Sequence, residues 1–234
     1  MAPQSAVLGD TAPSRQAARP QTPIFAMVWG SKDLRIHDTR SARAVFSLSA
    51  SLRAQHKGSI ARRATVRHSI SWAALTGPYL SVRDESFLDQ PQSAHPGGET
   101  TLRTYDMTKP VARRSQPISL IELVPAPAIN EALRRDPFFI AHARGETGEG
   151  LDAALEALRR GEGTACYSVP DDILRRFSIV GTRPGKLLVR IGLPGGGPCR
   201  YDLTQIGLLL PARENPGAAH AASGNLVIDL GSAK

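Results

Sequence analysis

The sequence predicts an α+β fold, an antiparallel β-sheet packed with several α-helices. Three observations carry that prediction. Residues 65–107 alternate polar and apolar side chains between turn signals, residues 126–161 repeat apolar side chains at helical spacing, and the residues after 164 return to short β-rich runs. Strands, then helices, then strands, without regular βαβ alternation, belong to the α+β class.

Residues 1–22, with Pro3, Pro13 and Pro20, lack periodicity and read as a flexible leader or linker. Structure is expected from Pro23, where PIFAMVWG (23–30) has strand composition. From Thr39 to Arg62, Ala42, Val45, Phe46, Ser49 and Leu52 recur every three to four residues, which predicts a helix. TVRHSISWA then sets Val66, His68, Ile70 and Trp72 against Thr65, Arg67, Ser69 and Ser71, the alternation of a half-buried strand. TGP (76–78) is a turn, YLSVRDESF (79–87) a second strand and TTLRTYDM (100–107) a third, so the three form a meander.

PAPAINEALRRDPFFIAHA predicts two short helices broken near Pro137. LDAALEALRRG predicts another, with Leu151, Ala154, Leu155 and Leu158 on one face and Gly161 as its C-terminal cap. TACYSV, FSIV, KLLVRIGL and TQIGLLL read as strands, with a helix start at Pro170 to Asp172. Residues 23–212 thus form one domain, divisible into subdomains 23–125 and 126–212, and residues 213–234 are expected to be a loosely ordered tail. No internal repeat is visible.

The 41% hydrophobic content suits a folded chain, and at 234 residues a sizeable core needs no disulfide. No apolar run approaches the roughly 18 residues that cross a bilayer. Met1 leads into Pro, Ala, Gln and Ser rather than a cationic and apolar signal. The formal charge of +8 lies wholly in residues 1–114, with 16 Lys and Arg against 8 Asp and Glu. Its densest part, Arg53, Lys57, Arg62, Arg63 and Arg67, would attract a polyanion such as nucleic acid, and a solvated helix face accounts for it too. Only Trp72 stands near it as an aromatic, and no helix-turn-helix, RRM or zinc-finger signature accompanies it, so nucleic acid is the weaker partner.

Cys166 and Cys199 are too far apart for a C-x-x-C site. A disulfide in an oxidising compartment and two buried thiols are both open readings of that pair. GLPGGGP (192–198) lacks the Lys-Ser/Thr of a phosphate loop and reads as a strand connection. The sequence shows neither G-x-S-x-G nor H-E-x-x-H, no metal-ligand spacing and no cofactor motif. Asp84, Glu85, His95 and Asp106 could converge as an acid–base set, although Asp84 and Glu85, adjacent on a strand, must face opposite ways. A histidine bracing its own loop is the alternative for His95.

YLSVRDESF, SAHPGGETTLRTYDM and ISLIELV followed by PAINEAL resemble, in that order, an extracytoplasmic domain of unknown function. That domain occurs in lysozyme-sensing anti-sigma factors of the sigma-V type and ahead of the catalytic domain of some peptidoglycan deacetylases. Ala94-His95-Pro96 is similar to its histidine element, Tyr105-Asp106 to its aromatic–acid step, and Leu120, Glu122 and Leu123 to its step into a helix. Phe177, KLLVRIGL and QIGLLLP stand where its C-terminal strands would follow. Gln92-Ser93 replaces the family's Gly-Gly, Gly97 and Gly98 follow the histidine instead, and VARRSQP (111–117) looks like an insertion.

The resemblance implies a non-catalytic cell-envelope domain that binds a wall-associated protein or glycan without a cofactor. On it, His95, Tyr79, Tyr105 and Asp106 are the binding residues and Cys166 and Cys199 form a disulfide. The location is extracytoplasmic if a signal precedes Met1 and cytoplasmic otherwise. Two other expectations stand beside it: nucleic-acid binding through residues 53–67, and an envelope hydrolase using His95 with Asp106 or Asp84.

Overall fold

A four-stranded antiparallel sheet runs through the middle of the structure, a computed structural model that describes residues 24–61, 64–91, 96–145, 148–162, 166–195, 199, 202–212 and 219–230. Three of its strands are the expected meander, β4 (Thr65–Thr76), β5 (Tyr79–Asp89) and β6 (Gly97–Asp106). The turn at Gly77, φ 56°, needs a glycine's left-handed freedom. A small sheet of β1 (Phe25–Trp29), β2 (Leu34–Asp38) and β3 (Ala44–Ser47) precedes it, and another of β7 (Phe177–Arg183), β8 (Lys186–Pro194) and β9 (Leu203–Pro211) follows. All three sheets are antiparallel, and strand outweighs helix, so the fold is α+β with a β bias.

The fourth strand of the central sheet is β10 (Ala219–Asp229), which pairs with β4 from Ala219↔Thr76 to Asp229↔Arg67. It corrects the expected loose tail. Leu226, Ile228 and Leu230 are buried against the small first sheet and α1, while Val227 and Asp229 face out. A ladder along nearly the whole of β4 satisfies the backbone groups that a frayed tail would leave to water.

The expected helix over 39–62 is also corrected. Ser47 ends β3 and caps a later helix, α1 (Leu48–Gln55), accepting the Ala50 N–H at 3.1 Å, while the Asp33 carboxylate accepts the Ser49 N–H at 2.9 Å. A short α2 (Lys57–Ala61) follows. The cap chemistry won over the apolar spacing, since Ser and Asp take up the free N–H groups of a first turn.

The meander holds a further departure. Trp72 pairs with Arg83 but Ile70 pairs with Asp84, so a bulge at Ser71 moves the strand by one residue. Val66, His68 and Ile70 therefore share a face with Ala73 and Leu75, and Trp72 turns to the other face.

Four helical turns connect the meander to the last sheet. They are α3 (Val111–Arg114), α4 (Leu120–Leu123), α5 (Ala126–Arg134) and α6 (Pro137–His142), the last two divided at Pro137 as expected. After them α7 (Leu151–Arg159) buries Leu151, Ala154, Leu155 and Leu158. Arg160 is its C-terminal cap, not Gly161; a Cβ at Gly161 would fall 2.0 Å from the His142 carbonyl oxygen, so close approach requires the glycine. No strand forms at Cys166–Val169, and Ile173–Arg175 is a single 3-10 turn.

The buried side chains fall into two clusters on opposite faces of the central sheet. One joins the first sheet and α1 to β4, β5 and β10; the other joins α5, α6 and α7 to β7–β9. The first cluster draws on residues between 34 and 107 together with 226–230, and the second on residues between 118 and 210. Between them β7 meets all four central strands. There the Thr104 hydroxyl donates to the Phe177 carbonyl at 2.8 Å, and the Ile179 N–H donates to the Ser81 hydroxyl at 2.9 Å. Ile228→Ala should cost about 2–5 kcal/mol in urea unfolding, as a buried Ile does; a cost near zero would restore the loose tail.

Candidate functional site

A group of ionisable side chains lies inside the central sheet. Asp84, at the middle of β5, has no solvent exposure, and neither has His68 of β4. The bulge at Ser71 puts His68 diagonally beside Asp84 on one face, and Arg103 of β6 flanks it on the other side. His68 Nδ1–H donates to Asp84 Oδ1 at 2.8 Å, and Arg103 Nε stands 3.2 Å from Oδ2. One carboxylate thus serves one guanidinium and one imidazole.

Helix α1 closes over this group. Arg103 Nη1 donates to Gln55 Oε1 at 2.9 Å, and Gln55 Nε2 donates in turn to Ser51 and to the Ser115 carbonyl. His56, half-buried at the end of α1, stacks at 5.0 Å from the His68 ring. Burial first, then His68 and Arg103, lower the His56 pKa, and Asp84 opposes them only in part. Tyr105 is wholly buried on the same face, and that burial pushes its hydroxyl pKa up. His68 Nε2 is buried with no hydrogen-bond partner among the described residues.

Of the residues expected to bind, Tyr79 and Asp106 lie side by side while Tyr105 faces the other core. Tyr105 is buried against Phe46, Tyr79 packs against the opposite core, and Asp106 accepts the Thr108 N–H and hydroxyl at 2.8 and 2.7 Å, closing a turn. Tyr79 and Asp106 are cross-strand partners at one end of β6, and Gly97 lies at the other, roughly 30 Å away at ~3.3 Å per residue. His95, with residues 92–94, lies outside the described residues, as do Arg62, Arg63, residues 1–23 and residues 196–198 of the glycine loop. Glu85 is exposed while Asp84 is buried, the opposition expected of strand neighbours.

The described residues of the basic patch, Arg53, Lys57 and Arg67, lie on two sides of the sheet. Arg53 donates to the Leu230 carbonyl at 3.1 Å and Lys57 is exposed on α2, on the α1 side of the sheet. Arg67 points to the other side, paired with Asp229 at 3.4 Å. Cys166 and Cys199 form a disulfide that ties the segment after α7 to the connection between β8 and β9.

The face of the central sheet that carries Arg67 is covered only in part. The odd-numbered side chains of β5 project to it, and Ser81 is buried under β7. Toward the β5–β6 connection the same face carries Glu85 and then Phe87, 37% exposed. A cleft of about 330 Å³ opens there, lined by Arg67, Ser69, Glu85, Ser86, Phe87, Glu99 and Thr100. A second cleft of about 210 Å³ lies against Arg103, Arg175 and Arg176. Arg176 is held by Glu99 and Asp172, both at 2.7 Å, and Arg175 donates to the Pro117 carbonyl. Among the described residues no group of three or more His, Cys, Asp and Glu could hold a metal ion, and no helix is long and apolar enough to cross a membrane.

Sequence reasoning placed His68 on the buried side of its strand and Asp84 opposite Glu85, yet it did not join them. The signal was a histidine within an apolar alternation, facing a strand with a buried carboxylate. Fold and site together define an α+β protein, mostly β, with an internal His–Asp–Arg group and one open sheet face. Comparison with protein-family models, curated proteins and solved structures gives no match to this chain.

Removing the carboxylate leaves Arg103, its side chain 19% exposed, without its counter-charge and the buried His68 without its acceptor, so Asp84→Ala should cost about 3–5 kcal/mol in urea unfolding; a loss below about 1 kcal/mol, the range of exposed pairs, would contradict this. The depressed His56 pKa has a definite sign. Below the ordinary imidazole value of about 6.5 the unfolded chain binds a proton that the folded chain refuses, so this contribution is complete above that pH and is lost as pH falls through the folded value. The melting temperature should therefore drop on acidification below about pH 6.5, and His56→Gln should flatten that drop. An identical pH profile for the variant would refute the assignment.

Proposed function

We propose that this chain is a non-catalytic, extracytoplasmic domain of the cell envelope that binds a wall-associated ligand, as its motif order resembles. The observation that carries the reading is the division of labour between the two faces of the central sheet. On one face the ionisable side chains are turned inward and spent on each other, Asp84 on His68 and Arg103. On the other, polar and aromatic side chains line an open cleft next to the β5–β6 connection. A cleft with one aromatic and a few convergent polar groups is the usual form of a small-ligand site.

The compartment is supported by the disulfide between Cys166 and Cys199, since such bonds persist where thiols are not kept reduced. The resemblance in motif order supports a place at the wall. The reading assigns no bond-breaking step to His68, Asp84 or Arg103; their task is to hold the sheet on which the cleft is formed.

Two measurements on the full chain test this. Alkylation during lysis of native cells should find Cys166 and Cys199 oxidised, and the purified chain should co-sediment with isolated envelope material. Reduced thiols in the native cells would remove the extracytoplasmic location, and a folded chain that stays in the supernatant would remove the binding role.

A further inference from the structure

The register of the central sheet fixes what the cleft presents. Arg67, Phe87 and Gly98 are direct cross-strand partners, as are Ser69, Glu85 and Thr100 one step further along the same face. Phe87 therefore has a guanidinium on one side and a glycine, which has no side chain, on the other. Phe87 is 37% exposed. In the next row Ser69, whose hydroxyl donates to Asn225 Oδ1 at 3.2 Å, and the buried Thr100 stand on either side of the exposed Glu85.

The charges around the cleft are balanced by neighbours. Arg67 is 3.4 Å from Asp229, Glu85 is 3.8 Å from Arg83, and Glu99 is 2.7 Å from Arg176. Three cations meet three anions, so the site offers little net attraction to a polyanion or a polycation. What it offers instead is a flat apolar ring with donors and acceptors of both kinds around it. That set suits a ligand with an apolar C–H face and a rim of uncharged hydroxyls.

We propose that the ligand of this cleft is a neutral, polyhydroxylated oligosaccharide, one sugar ring resting on Phe87 with its hydroxyls bonded to the exposed Arg67 and Glu85. The inference rests on the binding role proposed above and names the chemistry of the ligand. The sugar C–H face replaces water on the phenyl ring, and the carboxylate and guanidinium, already held by their ion partners, bond hydroxyls without ordering new side chains. A cleft of about 330 Å³ is at the lower end of the range for ligand sites, which favours a short segment of a glycan over a folded partner.

The test is calorimetric titration of the full chain with the uncharged trimers of N-acetylglucosamine and of glucose, and with a sulfated polysaccharide for comparison. At least one neutral trimer should bind with an affinity that changes little with salt. Phe87→Ala should weaken it tenfold or more. Gly98→Leu, which leaves Phe87 in place and fills the space beside it, should do the same with the melting temperature kept. No binding of either neutral trimer by the folded chain would overturn the inference, as would neutral binding that both variants retain, or binding confined to the sulfated polymer and abolished by salt. Co-sedimentation with envelope material that survives Phe87→Ala and Gly98→Leu would also overturn it, while leaving the binding role intact.

Discussion

A carboxylate sealed inside a sheet is tolerated only when its partners arrive with it. Asp84 has no exposure, and its two oxygens are met by the His68 imidazole at 2.8 Å and the Arg103 guanidinium at 3.2 Å. Losing either partner would leave a charge or a polar group without compensation in a medium that screens poorly. The three residues come from three neighbouring strands, so the requirement is also a requirement on register. A slip of one residue in β4 would turn His68 to the far face and leave Asp84 opposite serines. The bulge at Ser71 is thus part of the ion group, because the turn at Gly77 alone would set the unslipped pairing.

The rest of the architecture follows from that fixed sheet. Arg103 extends the group to Gln55, which places α1 and brings His56 over His68. On the opposite face Ser81 and Thr104 bond to β7 and hold the last sheet across the strands at one end. The other end of that face is left to solvent, with Phe87 and Val227 exposed among charged pairs. The buried group belongs to stability and the open end is the surface proposed for binding, and one antiparallel sheet carries both because successive side chains point to opposite faces.

Much of this was legible from residues alone, and the failures have physical reasons. The alternation in TVRHSISWA and the turn at residues 76–78 identify the hairpin because a half-buried strand has a period of two. Pro137 divides two helices because its ring ends the first and begins the second. The alternation could not reveal the bulge, which is set by pairing and leaves no mark at Ser71; Trp72 was therefore assigned to the wrong face. Apolar spacing alone starts a helix at 39, whereas Ser47, a capping residue visible in the sequence, starts it at Leu48. Strand β10 was hidden by its Ala- and Gly-rich first half, although Leu226, Ile228 and Leu230 alternate in the second. The pairing of His68 with Asp84 depends on that bulge, so the sequence suggested the residue types and the fold alone joined them.

The dependence of the fold on Asp84 is measured most directly by a double-mutant cycle with Asp84→Asn and Arg103→Met, each variant and the pair followed by urea unfolding. The account predicts a coupling of about 1–3 kcal/mol, with the double variant less destabilised than the sum of the single ones. Additive losses, within about 0.3 kcal/mol, would show that the two side chains do not depend on each other and would contradict it.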